Sequence, residues 1–216
     1  AIGIYALNVF GDASVTSSGA ISAENTFGNA KGIAVYSIYY DAIVDNSGAI
    51  SAQTTNGAAI GIDAANYFFD DAMVTNSGDI TAVSSNSGVA RGIEATAYFD
   101  VTISNSGAVS ATSYSGGSAQ AIRSVSTYGY GVVENSGDLS ATSTFSNAIG
   151  IVNVGFYGAT VDNSGDISAQ TTDGRALGMY VYSRFGVSDV YSSGDITVSS
   201  YNNDANGIFA EGGYGA

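Results

Sequence analysis

Histidine, cysteine and proline are absent from the 216 residues, and basic residues are scarce. Five Lys and Arg stand against nineteen Asp and Glu, for a net charge of −14. Without cysteine there are no disulfides and no thiolate metal sites. Without histidine no imidazole is available to activate a serine nucleophile. The acidic balance makes nucleic acid and anionic lipid poor partners, because both demand positive charge. No apolar run approaches the roughly 20 residues of a membrane span, so no direct membrane insertion of this segment is expected. What the chain has in quantity is 29 Gly together with 45% hydrophobic residues, including 15 Tyr and 9 Phe. That apolar content argues for a packed core over disorder.

One phrase recurs. "VDNSGAISA" at Val44 returns as "VTNSGDITA" at Val74, "ISNSGAVSA" at Ile103, "VENSGDLSA" at Val133 and "VDNSGDISA" at Val161. Looser copies stand at Val15 and Val190. Its glycines, Gly19, Gly48, Gly78, Gly107, Gly137, Gly165 and Gly194, are spaced by 28 to 30 residues. A second phrase of the type A-x-G-I keeps the same beat at Ala30, Ala59, Ala90, Ala119, Ala148, Ala176 and Ala205. Two markers holding one period define a repeat array.

Each period contains three short runs in which apolar and polar residues alternate, the strand period of two. Gly, Asn, Ser and Asp lie between them, where tight turns are made. Three strands and three turns in about 29 residues suit one coil of a β-solenoid whose strands pair with their copies one period later. A propeller blade needs four strands and about 40 residues. The expectation is an all-β, right-handed parallel β-helix of about seven coils, roughly 34 Å long at about 4.8 Å per coil. It forms a single unit over residues 1–216. The chain opens on "AIGIYALN", which reads as the middle of a repeat, so the expectation is a segment cut from, or part of, a longer array.

Stacking turns each repeat position into a column. The Val/Ile column from Val15 to Val190 and the Ile/Val/Leu column from Ile21 to Ile196 point inward, and Ala columns fill corners. Alternation places Asn46, Asn76, Asn105, Asn135 and Asn163 on the inward side as well. Each carboxamide can bond its neighbours above and below, forming an Asn ladder that satisfies groups costing roughly 1–3 kcal/mol each if buried alone. Ser17 and Ser192 replace Asn in the outer coils, where the ladder is expected to end. The Ser-Gly that follows is expected to turn the chain, with Gly supplying φ > 0.

"A-x-G-I" followed by "V-x-N-S-G-x-I-S-A" at a period near 30 resembles the passenger repeats of bacterial autotransporters, the type V secretion system. The resemblance covers all 216 residues. It implies a right-handed β-helix stalk displayed outside a Gram-negative cell, serving adhesion, aggregation or presentation of an effector. Lack of cysteine suits such proteins, which cross the periplasm unfolded. Extracellular or cell-surface location is the expectation that follows.

Function is sought in the loops, which vary while the columns do not. The loop before each NSG strand is rich in aromatics: Phe10; Tyr39, Tyr40; Tyr67, Phe68, Phe69; Tyr98, Phe99; Tyr128, Tyr130; Phe156, Tyr157; and Phe185. Acids accompany them at Asp12, Asp41, Asp70, Asp71 and Asp100. Such a ridge either grips glycans by ring stacking or packs on itself to shield the core. After the turn, Asp138, Asp166 and Asp195 form an acidic column, read either as a solvated face or as a calcium site with oxygen ligands. No other cofactor is indicated.

A lyase would need a base among Lys31, Arg91, Arg123, Arg175 and Arg184, which look scattered. A hydrolase would need a two-acid site that breaks the repeat, and none is seen. Ice binding would need uniform outward Thr columns, and the outward columns are mixed. The reading is therefore a non-catalytic structural or adhesive surface solenoid that associates with itself, end to end or laterally. Carbohydrate binding by the aromatic ridge, to host or bacterial surface glycans, is the alternative.

Overall fold

A computed structural model describes residues 1–213 as seven complete coils and one further strand, with no helix among them. In the first coil, strands run Ile2–Asn8, Ala13–Ser17 and Ile21–Phe27, and the pattern repeats to the last strand, Ala205–Gly212. First, second and third strands of successive coils pair in parallel as sheets of eight, seven and seven strands. The architecture is a β-solenoid. The two sequence phrases set its register: Ala59 pairs with Ala90, Val74 with Ile103 and Asn76 with Asn105.

The expected inward columns form the core. Ile33, Ile62, Ile93, Ile122, Ile151 and Met179 of the first sheet meet Val44, Val74, Ile103, Val133 and Val161 of the second, and Ile50, Ile80, Val109, Leu139 and Ile167 of the third. A corner of alanines, including Ala90, Ala111, Ala119 and Ala141, lets two sheets approach closely. First strands are longer than alternation alone suggests, as in Ala30–Ser37, because inward and outward residues both continue beyond the Ile.

The Asn ladder is present. Asn46 Nδ2 donates to Asn76 Oδ1 at 2.8 Å, and Asn76, Asn105 and Asn135 each donate to the next at 2.7 Å. The second amide hydrogen of each Asn goes to the carbonyl of the Gly two residues on, as from Asn105 to Gly107 at 2.7 Å. At one end Asn163 reaches Ser192 Oγ at 3.4 Å. At the other, Asn46 Oδ1 is buried without a partner, and its register neighbour is Ser17. Ser17→Asn should supply the missing donor. We expect a gain of about 1 kcal/mol, a melting temperature higher by about 2–4 °C. An unchanged melt would show that water already satisfies this oxygen.

The NSG glycines correct one expectation. None has a left-handed φ; among the described residues positive φ at Gly falls at Gly11, Gly28, Gly57, Gly88 and Gly116, outside the phrase. What NSG demands is close approach. A Cβ on Gly107 would lie 2.2 Å from the Gly78 carbonyl oxygen, and one on Gly137 2.1 Å from that of Gly107. Glycine stacks on glycine because no side chain fits between neighbouring coils at this corner.

Candidate functional site

The aromatic loops follow the first strand of each coil. An inward Ser or Asn at the strand end pins their backbone: Gly129 N donates to Ser126 Oγ at 2.8 Å and Gly186 N to Ser183 Oγ at 3.0 Å. With the loops fixed, their rings fall into one row along the solenoid. Centroids are separated by 5.9 Å from Phe10 to Tyr39, 6.1 Å from Tyr39 to Phe68 and 6.3 Å from Phe68 to Phe69. The row continues from Phe69 to Tyr98 at 5.4 Å, Tyr98 to Tyr128 at 4.8 Å, Tyr128 to Phe156 at 5.2 Å and Phe156 to Phe185 at 4.9 Å. Arg184 lies over the last two rings.

The ridge both packs on itself and stays open to solvent. The rings pack on one another, yet Phe68 is 49% and Phe185 43% exposed. Phe99 stands edge-on to Tyr98, Tyr67 turns toward Tyr36 of the first sheet, and Tyr40 is exposed beside the row. Phe69 has φ 70°, a left-handed conformation unusual for a bulky side chain. Holding such a residue costs on the order of 1–3 kcal/mol and directs its ring into the row.

The acids beside the ridge have a structural task. Asp41 Oδ1 accepts from Asp71 N at 3.3 Å, Asp71 Oδ1 from Asp100 N at 2.9 Å and Asp100 Oδ1 from Tyr130 N at 2.8 Å. Each caps a backbone N–H of the following coil. Asp41, Asp70 and Asp71 place carboxylate oxygens within 4.8 Å of one another, the one such acidic triad among the described residues. Burial, with Asp70 hydrogen-bonded beside it, raises the Asp41 carboxyl above its ordinary range. Burial raises Asp71 as well, with the charges of Asp100 and Asp41 adding to the effect.

A carboxyl with a raised folded-state pKa binds protons more readily folded than unfolded. Stability therefore increases as pH falls through the raised values, reaches its full gain below the ordinary value of about 3.9, and is lost as pH rises again. We expect the melting temperature to climb as pH drops from 7 toward 4. Asp41→Asn, which keeps the acceptor for Asp71 N, should flatten that climb. A melting temperature that falls steadily over this range in the unaltered chain would contradict the assignment.

The acidic column Asp138, Asp166 and Asp195 is not among the described groups of three whose carboxylate oxygens lie within 4.8 Å of one another. Its members act as the ridge acids do: Asp138 Oδ1 accepts from Asp166 N at 3.2 Å, and Asp166 Oδ1 from Asp195 N at 2.9 Å. With Ser110, Ser140 and Ser168 they line an open groove of about 600 Å3.

Two features escape a loop-by-loop reading. On the opposite edge, at or just after the end of the third strand, Phe27, Tyr114, Phe145 and Tyr201 are exposed, the first and last by more than 80%. Their signal is an aromatic just ahead of each Gly/Asn turn, as in "TFGNA" and "TFSNA". The other is a charge cluster on the outer face of the first sheet. Lys31, Arg91 and Arg123, which look scattered in sequence, lie together there with Asp63 and Glu94.

Lys31 donates to Tyr36 OH at 2.6 Å and pairs with Asp63, which also accepts from Tyr36 at 2.6 Å. Arg91 Nη1 donates to Glu94 Oε2 at 2.8 Å, Arg91 Nε to Gln120 Oε1 at 3.1 Å, and Arg123 Nη1 to Glu94 Oε1 at 2.9 Å. Burial and the bond to Asp63 push the Tyr36 phenol up to about 12. Burial pulls Lys31 down, but bonding to Asp63 and Tyr36 outweighs it and holds the ammonium above its ordinary value. Burial pulls the Arg123 guanidinium down, against the attraction of Glu94. Aligning the basic residues by repeat position would have revealed this cluster: Lys31 and Arg91 share one column, and Arg123 lies in the next. Compared with family models, curated proteins and solved structures, the chain matches none.

Proposed function

We propose that this is a non-catalytic structural or adhesive solenoid of the bacterial cell surface, which makes contact through its aromatic ridge. The observation that carries this is the half-exposed row of rings from Phe10 to Phe185, one or more in every coil. Exposed aromatic rows on a rigid scaffold are contact surfaces, because rings bring large area at little entropy cost. Strain at Phe69 supports the same reading, since a core needs no such ring placement.

The cluster around Asp63 supports the non-catalytic reading: Tyr36 at about 12 and a Lys31 held charged offer no base poised near neutral pH there. The resemblance to autotransporter passengers supports surface display. The outermost strands of the first sheet, Ile2–Asn8 and Ala205–Gly212, pair on one side only, and the proposal gives them a second copy as partner. Glycans are the second reading, favoured by exposed rings with carboxylates beside them at Asp41, Asp71 and Asp100.

The test replaces Tyr67, Phe68 and Phe69 together with Ser. Beads coated with the protein should bind cells or immobilised glycans, and the triple variant should lose at least tenfold of that binding with its melting temperature little changed. Retained binding would sink the ridge as contact surface. Loss of the fold would assign these rings to shielding the core.

A further inference from the structure

On the outer face of the first sheet the charges around Glu94 do not balance. Two guanidinium groups meet one carboxylate there, a local excess of one positive charge within a chain of net charge −14. Lys31 is matched by Asp63, while Arg91 and Arg123 share Glu94, one oxygen each. Among the described residues the Arg123 guanidinium makes that one hydrogen bond, and its side chain remains 27% exposed. Its Nε and second terminal nitrogen are free to donate to a further acceptor, and its one carboxylate partner is shared with Arg91.

What lies beyond Arg123 sets the shape of a partner. In the next coil Arg123 is followed by Val152, and Gln120 by Ile149. These two pack with Leu177 into an outward apolar cluster flanked by Tyr180. The Tyr180 ring in turn stacks on Phe209 with centroids 5.4 Å apart and planes 3° from parallel. Reading up the sheet, charge gives way to a close-packed, largely buried aliphatic patch and then to the Tyr180 and Phe209 rings. At about 4.8 Å per coil, Tyr180 stands about 10 Å from Arg123.

We propose that this is a binding site for a small organic carboxylate with an apolar body. Its carboxylate is taken by the open donors of Arg123, beside the Gln120 amide, and its body lies against the Tyr180 ring, above the largely buried Ile149 and Val152. The planar guanidinium fork matches a carboxylate in two parallel bonds. One excess positive charge balances one carboxylate, whereas a phosphate monoester dianion would leave the site negative. A polyanion would in addition meet the field of the whole acidic chain.

A hydrophobic acid has this chemistry, whereas a uronic sugar offers the carboxylate without the apolar body, and the test sets one against the other. The 216-residue chain, labelled with 15N, is titrated with 3-phenylpropionate, with its amide, and with methyl glucuronide. Expected are saturable shifts at the amides of Gln120, Arg123, Val152 and Tyr180 for 3-phenylpropionate, and at least tenfold weaker binding of the amide and of the glucuronide. A glucuronide that binds as tightly as 3-phenylpropionate would overturn the proposal. Arg123→Gln should weaken binding at least tenfold. Arg175→Gln, which removes the same charge from an exposed turn, should leave it unchanged. If Arg123→Gln melts early, Arg123→Lys keeps the charge without the fork and should still lose severalfold. No binding of 3-phenylpropionate, equal binding of the amide, or full affinity in both Arg123 variants would overturn it as well.

Discussion

Asn105→Asp is expected to be the most damaging single-atom exchange in this chain at neutral pH. Asn105 is 2% exposed and stands at the middle of the ladder. Its Nδ2 donates to Asn135 Oδ1 at 2.7 Å and to the Gly107 carbonyl at 2.7 Å, while its Oδ1 accepts from Asn76 at 2.7 Å. Exchange of nitrogen for oxygen sets an acceptor against two acceptors and buries a negative charge. Asn105→Ala removes the same bonds without the charge, leaving Asn135 Oδ1 without its donor. We expect Asn105→Ala to cost roughly 3 kcal/mol, a melting temperature lower by on the order of 10 °C.

Asn105→Asp should be worse still at pH 7. The new carboxyl escapes by taking up a proton, which also restores a donor toward Asn135. Its folded-state pKa is therefore raised, so stability returns as pH falls. The gap between the two variants should close by about pH 4. Thermal melts of both across pH decide this. Equal melts at pH 7 would mean that the ladder carboxamides contribute little beyond filling space.

The ladder was legible in sequence for a physical reason. A solenoid stacks like on like, so any residue recurring at one phase becomes a column, and an inward polar column must bond to itself. The same logic delivered the coil length, the three strands and the inward Val and Ile columns. It failed where phase is silent about distance. NSG glycines read as turn residues because φ > 0 is the common use of Gly, yet their requirement comes from the coil beneath, as at Gly107 over Gly78. The charge cluster was hidden because Lys31, Arg91 and Arg123 lie about one or two repeats apart and in two adjacent columns. Acidic rows suggested ligands because carboxylates on the outside usually meet water or metal. At Asp71 and Asp138 the structure shows a further use, a bond to the next coil's backbone.

A compensated pair offers the sharpest test of packing between sheets. The Gly of A-x-G-I points into the core, and a Cβ on Gly150 would lie 2.3 Å from Ile167 Cγ2 and 2.6 Å from the Gly178 carbonyl oxygen. The same contact recurs at Gly32 with Ile50 and at Gly61 with Ile80, each at 2.2 Å. One coil breaks the pattern: Ala121 occupies the Gly position, fully buried in the core. That coil also carries Leu139 where the others carry Ile or Val. Leucine has no methyl on its β-carbon, so the branch that would collide with Ala121 is missing.

Gly150→Ala alone should therefore overpack the core and cost about 1–3 kcal/mol or more. Paired with Ile167→Leu, which should cost less than about 1.5 kcal/mol by itself, most of that penalty should disappear. The converse change, Leu139→Ile beside Ala121, should create the clash where none exists, and Ala121→Gly should relieve it. Urea denaturation of the two double-mutant cycles gives the coupling directly. We expect a coupling of at least 1 kcal/mol in each cycle. Additive costs would show that the Gly178 carbonyl, and not the β-branch of Ile167, excludes a side chain at Gly150.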